Sequence, residues 1–217
     1  MKVINLCENN SILNQFIAEI RDQKIQKDSM RFRRNLERIG EIFAYEISKT
    51  LEYTTADVTT PLGITQCYLL NNNLVIASIL RAGLPLHTGL LNYFDKAQNA
   101  FVAAYRKYGK DNKFTIQVEY ASAPTIEDKT LIIADTMLAT GSSLVLAYQK
   151  LCESGEPAHT HIVCPIASEA SLAYLSKHLP HKKVTLWVAA IDQELTNKSY
   201  IVPGIGDAGD LAFGTKL

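Results

Sequence analysis

Five short runs set the frame of this chain: LVIASIL (74–80), AFVAAYR (100–106), TLIIAD (130–135), THIVCPIA (160–167) and VTLWVAAI (184–191). Each is a nearly continuous apolar stretch, the first rich in β-branched residues, so neither face of the strand it forms is marked for water. Strands buried on both faces belong to parallel sheets covered by helices. Residues 84–94, 142–154 and 168–178 lie between most of these runs and read as helices, which gives the βαβ rhythm of a Rossmann-like α/β sheet. Upstream, 28–51 is the clearest amphipathic helix. Leu36, Ile39, Gly40, Phe43, Ala44, Ile47 and Leu51 recur on one face, and Asp28 or Ser29 can cap its start. The stretch 107–125 breaks the rhythm: an alternating FTIQVEY among turn residues predicts a hairpin or flap. No low-complexity tract or long linker interrupts the chain, so residues 1–217 read as one domain with an N-terminal helical arm over about 1–51.

Charge narrows the function classes. Lys plus Arg and Asp plus Glu both total 22, so the formal net charge is zero and no bulk field invites nucleic acid or anionic membrane. Arg31, Arg33 and Arg34 read as the solvated face of an amphipathic helix, with an anion grip as the competing reading. The N-terminal MKVINLCENNSILNQF lacks a signal peptide's apolar core, and no stretch approaches the roughly 18 apolar residues of a membrane span. A cytoplasmic protein with no membrane partner is expected. Cys7, Cys67, Cys152 and Cys164 are scattered and read as reduced thiols. His159 and His161 alternate along a strand with no third ligand nearby, and read as strand residues in preference to a metal pair.

In sheets of this kind ligands sit beyond the carboxyl ends of the strands, where strand order reverses. Three segments fall at such ends: LRAG (80–83), YRKYG (105–109) and ADTMLATGSS (134–143). The last carries the most chemistry. A strand delivers Asp135 to the rim, and the loop over 136–141 turns into a helix near Ser142. Helix starts offer unpaired N–H groups and partial positive charge. Gly141 admits close backbone approach, and Thr140, Ser142 and Ser143 add hydroxyls, which together make a cradle for a phosphate monoester. Asp135 would repel that phosphate but suits vicinal hydroxyls, which donate to a carboxylate. Anion cradle plus carboxylate describes a ribose 5-phosphate; an ordinary strand-to-helix turn capped by Thr or Ser is the competing reading. There is no P-loop. The G-x-G-x-x-G formed by Gly204, Gly206 and Gly209 lies too near the C-terminal end of the sequence to open a βαβ unit, so it reads as a false dinucleotide match.

LIIADTMLATGSS resembles the phosphoribosyl-pyrophosphate loop of type I phosphoribosyltransferases, and its D-x-M-L-A-T-G-x-S form resembles the DPMLATGGS of the uracil-specific family. ILRAGLPLHTGLL (79–91), the Tyr105-Arg106 pair, RFRRNLERIGEIFAYE and AAIDQEL…YIVPGIGDAGDLAFGTK (189–216) resemble the same family's other blocks, in order. Two positions depart from its usual loop: Thr136 stands where proline is usual, and Ser142 where glycine is common. Thr lacks proline's fixed φ, so a less pre-set loop is expected.

The resemblance implies transfer of phosphoribosyl from phosphoribosyl pyrophosphate to N1 of uracil, giving UMP and pyrophosphate. It implies Mg2+ carried mainly by the donor's own oxygens and water, with no dedicated metal cage. Donor binding is implied for Arg81, Arg106, Asp135, Thr136, Met137, Leu138, Ala139, Thr140, Gly141, Ser142, Ser143 and Asp207. Uracil recognition is implied for Ile201, Gly206, Asp207 and Ala208 in a C-terminal hood over about 192–217, and catalytic roles for Asp135, Arg106 and Asp207. Whether Asp207 removes the N1 proton or orients water on Mg2+ stays open, as does whether 107–125 closes over the site or contacts another subunit. A homo-oligomer, dimer or tetramer, is expected. Two alternatives remain: a type I transferase for another base, which the GIGDAGD hood disfavours, and an RNA-binding regulator on the same fold, which needs a basic face.

Overall fold

The computed structural model describes residues 1–71, 73–108 and 114–215; for 104–108 and 114–118 it gives the course of the backbone alone. In chain order the strands are β1 (Lys2–Asn5), β2 (Tyr53–Thr60), β3 (Gly63–Leu70), β4 (Leu74–Leu80), β5 (Gln98–Tyr108), β6 (Phe114–Ser122), β7 (Thr130–Ala134), β8 (Met137–Leu138), β9 (His159–Ser168), β10 (Val184–Asp192), β11 (Glu194–Leu195) and β12 (Ile201–Val202). The α-helices are α1 (Ile12–Arg21), α2 (Ser29–Ser48), α3 (Leu84–Tyr93), α4 (Ser142–Cys152), α5 (Glu169–His178) and α6 (Ala208–Phe213). All five apolar runs are strands of one sheet, ordered β1-β10-β9-β7-β4-β5-β6, with β8 beside β9. Every pairing in it is parallel except β5 with β6, so FTIQVEY is a strand turned back on β5; the rest of the expected flap, 109–113, lies outside the described residues. The sheet is thus mostly parallel and flanked by helices, as the apolar runs require.

Alternation along the central strands divides the core in two. Leu74 and Ile76 of β4 join Ile132 of β7, Val163 of β9 and the inner faces of α1, α2 and α3. Val75, Ala77, Ile133 and Ile162 point the other way, onto Leu144, Val145 and Ala147 of α4 and Leu175 of α5. The connection from β4 therefore leaves on one face, through α3, and the connection from β7 leaves on the other, through α4. Strand order reverses between these two neighbours, which opens a crevice at their carboxyl ends.

The first 51 residues differ from an all-helical arm. They begin with β1, a parallel edge strand against β10, and α1 and α2 are built into the core. Asp28 caps α2 by accepting from the Arg31 N–H at 3.1 Å. The residues expected on its buried face are buried, apart from Leu51, which lies past the helix end and is half-buried. Glu19 of α1 accepts from Arg31 and from Asn35 of α2, tying the two helices. The hairpin β2–β3 carried no apolar-face signal in the sequence, because neither of its faces is covered.

α2 and α3 meet backbone to backbone. A Cβ on Gly40 would overlap the Leu86 carbonyl oxygen, and one on Gly89 would overlap the carbonyl of Glu37. Backbone cannot move aside as a flexible side chain can. Gly89→Ala is expected to lower the free energy of unfolding by about 2–3 kcal/mol in urea denaturation, whereas Gly63→Ala, with nothing within 4 Å of the added carbon, is expected to stay within about 0.5 kcal/mol.

Candidate active site

At the crevice the turn after β4 presses on the end of β7. A Cβ on Gly83 would lie 2.6 Å from the Ala134 carbonyl oxygen, 2.7 Å from that of Ile79 and 2.9 Å from Ser78 Oγ. Only glycine permits this approach, and it sets the segment carrying Arg81 beside the strand end that delivers Asp135. The Leu80–Arg81 peptide is cis. The Asp135 N–H donates to the Val163 carbonyl at 3.1 Å, and its Oδ1 accepts from the Thr136 N–H at 2.7 Å. Burial pushes the Asp135 carboxyl up to about 7, against the pull of the Thr136 and Met137 N–H groups. Thr136 is fully buried, and its Oγ1 has no partner among the described residues. The Thr136 N–H bonded to Asp135 is one that proline would not supply.

The loop that follows is held on both sides. β8 pairs with Ile166 and Ala167 of β9, and the Ser168 hydroxyl donates to the Ala139 carbonyl. The expectation of a less pre-set loop is therefore offset by cross-strand bonds the sequence did not reveal. Gly141 has φ +77°, where an L side chain is strained, and a Cβ there would come within 2.5 Å of Leu175 Cδ1. Thr140 Oγ1 and Ser142 Oγ are 2.7 Å apart.

Helix capping differs along the chain, and at the start of α4 the Ser142 N–H donates to Thr140 Oγ1 at 3.5 Å. Side chains cap α1 (Ser11), α2 (Asp28), α5 (Ser168) and α6 (Asp207). The two without a side-chain cap are α3 and α4, whose N-caps are Gly83 and Gly141. These two helices follow β4 and β7, so both begin at the crevice beside Asp135; at α3 the Gly83 and Leu84 N–H groups are spent on the Ile79 and Arg81 carbonyls and Pro85 has none, so α4 is the helix whose first-turn amides are available there.

The C-terminal segment arches over from the other end of the chain. β11 and β12 pair antiparallel, and Gly204 and Gly206 take φ +55° and +83°. Asp192, at the end of β10, accepts two bonds from Arg21 at 2.8 and 2.9 Å and one from the Gly204 N–H at 2.9 Å; Arg21 also donates to the Gly204 carbonyl at 3.0 Å. The side chains of Ile201 and Ala208 are buried in the core. Asp207 Oδ1 caps α6 by accepting from the Asp210 N–H at 3.0 Å. Gly204 and Gly206 lie between β12 and α6 and Gly209 within α6, outside any βαβ unit.

Arg81 reaches this hood. Its Nη2 donates to Asp210 Oδ1 at 3.0 Å, and Nη1 and Nη2 both lie 3.3 Å from the Gly214 carbonyl oxygen. Arg33 of α2 donates to the Ala212 carbonyl at 2.6 Å. The backbone of Arg106 is on β5 opposite Ile116, two residues before the strand ends at Tyr108 and so not at the strand end expected; its side chain lies outside the described residues. Sequence reading missed Arg21, Asp192 and Asp210. Asp192 had a usable signal, an acid ending an apolar strand as Asp135 does; the other two act through contacts that only the folded chain creates.

Other candidates resolve differently. Arg31 and Arg34 are paired with Glu19, and with Glu37 and Glu41, so with Arg33 bound to α6 the triplet is neither simply solvated nor free to grip RNA. His159 and His161 lie near the start of β9, at the opposite end of the sheet from Asp135. The Trp187 Nε1–H donates to His161 Nδ1 at 3.0 Å, and both histidines line a cavity of about 480 Å³ there. No described helix is long and apolar enough to cross a membrane.

A family model described as uracil phosphoribosyltransferase matches residues 7–215. The uracil phosphoribosyltransferase of Porphyromonas gingivalis is 54% identical over 217 residues, covering all of both chains. That of Thermococcus gammatolerans is 37% identical over 213 residues, covering 97% of this chain and 92% of its own. Among solved structures, the AQ2163 protein of Aquifex aeolicus superposes with a TM-score of 0.87 at 26% identity, over 99% of each chain.

The raised Asp135 carboxyl has a thermodynamic signature. Folded, it keeps its proton at pH values where the unfolded chain has lost it, so its contribution is full below about pH 4 and lost as pH rises through about 7. Asp135→Asn removes the penalty. Its free energy of unfolding is expected to exceed the wild type's by about 2 kcal/mol at pH 8, allowing for partial exposure, with the gap closing as pH falls from 7 towards 4.

Proposed function

The chain belongs to the uracil phosphoribosyltransferase family, and on that premise we propose that its crevice transfers the phosphoribosyl group of phosphoribosyl pyrophosphate to N1 of uracil, giving UMP and pyrophosphate. One observation carries the reading: the helix after β7 starts on glycine without a side-chain cap beside the half-buried, desolvated Asp135 carboxyl, and the glycine turn after β4 sets the segment carrying Arg81 against the same strand end. The donor needs two anion sites and a diol acceptor between them. The start of α4, with Thr140, Gly141, Ser142 and Ser143, suits the 5-phosphate; the turn at Arg81–Gly83 suits the diphosphate; Asp135 suits the ribose hydroxyls.

The reaction builds positive charge at C1′ while the leaving oxygens become negative, so the protein's task is preorganised electrostatics. Arg81, and Arg106 from the neighbouring strand β5, take the leaving diphosphate. Asp135 is matched to the diol in either protonation state near neutrality: ionised it accepts from both hydroxyls, and bonds to them stabilise that form. In the hood, the backbone of Ile201, Gly206 and Ala208 faces uracil's acceptor-donor-acceptor edge, a pattern main-chain N–H and C=O groups can complement. Cytosine would set an amino donor against an N–H, at a cost of about 1–3 kcal/mol.

Hard carboxylate oxygens fit magnesium. Asp207 spends Oδ1 on the α6 cap, and its Oδ2, which takes no hydrogen bond among the described residues, would approach the ion's water shell or the uracil N1 proton. When bound with the donor, magnesium neutralises the diphosphate charge. We also infer a homo-oligomer, supported by Leu62, Ile64 and Tyr68 standing exposed on the β2–β3 hairpin; sedimentation of the purified protein checks it.

Pyrophosphate release with uracil, donor and Mg2+ tests the activity, and guanine, hypoxanthine and cytosine in place of uracil test the base; turnover of a purine without uracil ends this reading. Asp135→Asn is expected to cut kcat/KM at least 100-fold in a protein that stays folded. Arg106→Ala is expected to raise the donor KM about tenfold or more, and normal kinetics in both variants would remove the assignment.

A further inference from the structure

We propose that Asp210, which none of the roles above includes, is a positioning residue: it orients the Arg81 guanidinium for the donor's diphosphate and so links the donor half of the site to the hood. The inference rests on the assignment of the diphosphate to Arg81. All the bonds Arg81 makes to the hood are on its Nη atoms, to Asp210 Oδ1 and the Gly214 carbonyl. Its Nε is buried and has no hydrogen-bond partner among the described residues. A buried donor without an acceptor is costly, and a guanidinium fixed along one edge presents its remaining N–H groups in a set direction. The fork is thus anchored on the hood side through its Nη atoms, with its Nε–H left unmade.

Asp210 can do this without disturbing its own helix. Its backbone N–H completes the α6 cap to Asp207, while its carboxylate is spent on Arg81. The pair is only partly buried, 36% and 30% exposed, so it is a modest interaction that guides the arginine without neutralising it in a closed core. α6 also carries Asp207 at its start and is held from the body by Arg33 through the Ala212 carbonyl. A diphosphate that takes the free edge of Arg81 therefore also steadies the helix that follows the uracil loop.

The test is a double-mutant cycle on donor affinity, read by calorimetry with phosphoribosyl pyrophosphate and Mg2+. Wild type, Arg81→Ala, Asp210→Asn and the double variant are compared, with thermal midpoints to show that each is folded. Asp210→Asn is expected to weaken donor binding about fivefold when Arg81 is present and less than about 1.5-fold when it is absent. Asp210→Glu is expected to restore affinity to within about twofold, and Asp210→Ala serves if the Asn variant does not fold. Equal losses in both backgrounds would make Asp210 a packing residue, and tighter donor binding in Asp210→Asn would make it a competitor for Arg81; either overturns the proposal. If Arg81→Ala alone leaves donor affinity unchanged, the diphosphate assignment fails first and this inference falls with it.

Discussion

Two neighbouring parallel strands, β4 and β7, send their connections to opposite faces of the sheet, and the rest of the site follows from that divergence. If α3 and α4 lay on one face, their side chains would fill the space where their first turns now open. Because they diverge, the first turns of both helices face a shared crevice, and the turn at Gly83 can lie against Ala134 with no side chain between. The sheet also supplies the field: Asp135 sits at the floor of this opening, drawn out of water and kept from full ionisation, beside amides that favour negative charge.

The central strands were legible because burial on both faces leaves an unmistakable run of apolar residues. β4, β5, β7, β9 and β10 and the helices between them all fall where those runs place them, to within a few residues. The elements that were not legible lack that physical cause. β2 and β3 pair only with each other, so Tyr53–Thr60 and Gly63–Leu70 carry no buried stripe to read. β1 is a short edge strand paired on one side only, with half-buried and exposed residues that read equally well as a loop.

The candidate site divides along the same line. Asp135, Gly141 and the loop between them could be read because their chemistry is local: a strand end, a turn and a helix start within ten residues. The hood is different. Arg21 and Asp192 meet across 171 positions, and Arg81 and Asp210 across 129, so no window of sequence contains both partners. Arg81 illustrates the limit. Its place at the end of β4 was readable, but its engagement with Asp210 and the Gly214 carbonyl depends on where the last helix docks.

The glycine contact between α2 and α3 has a reach beyond its own packing. α3 begins at the crevice, while α2 carries, through Arg33, the helix that completes the hood. Gly40 and Gly89 fix the spacing between those two helices with main-chain atoms alone, a joint with almost no play. That joint acts as the datum from which floor and roof of the crevice are both measured. A single methyl group inserted there would carry no charge and touch no substrate, yet it would shift both walls out of alignment together.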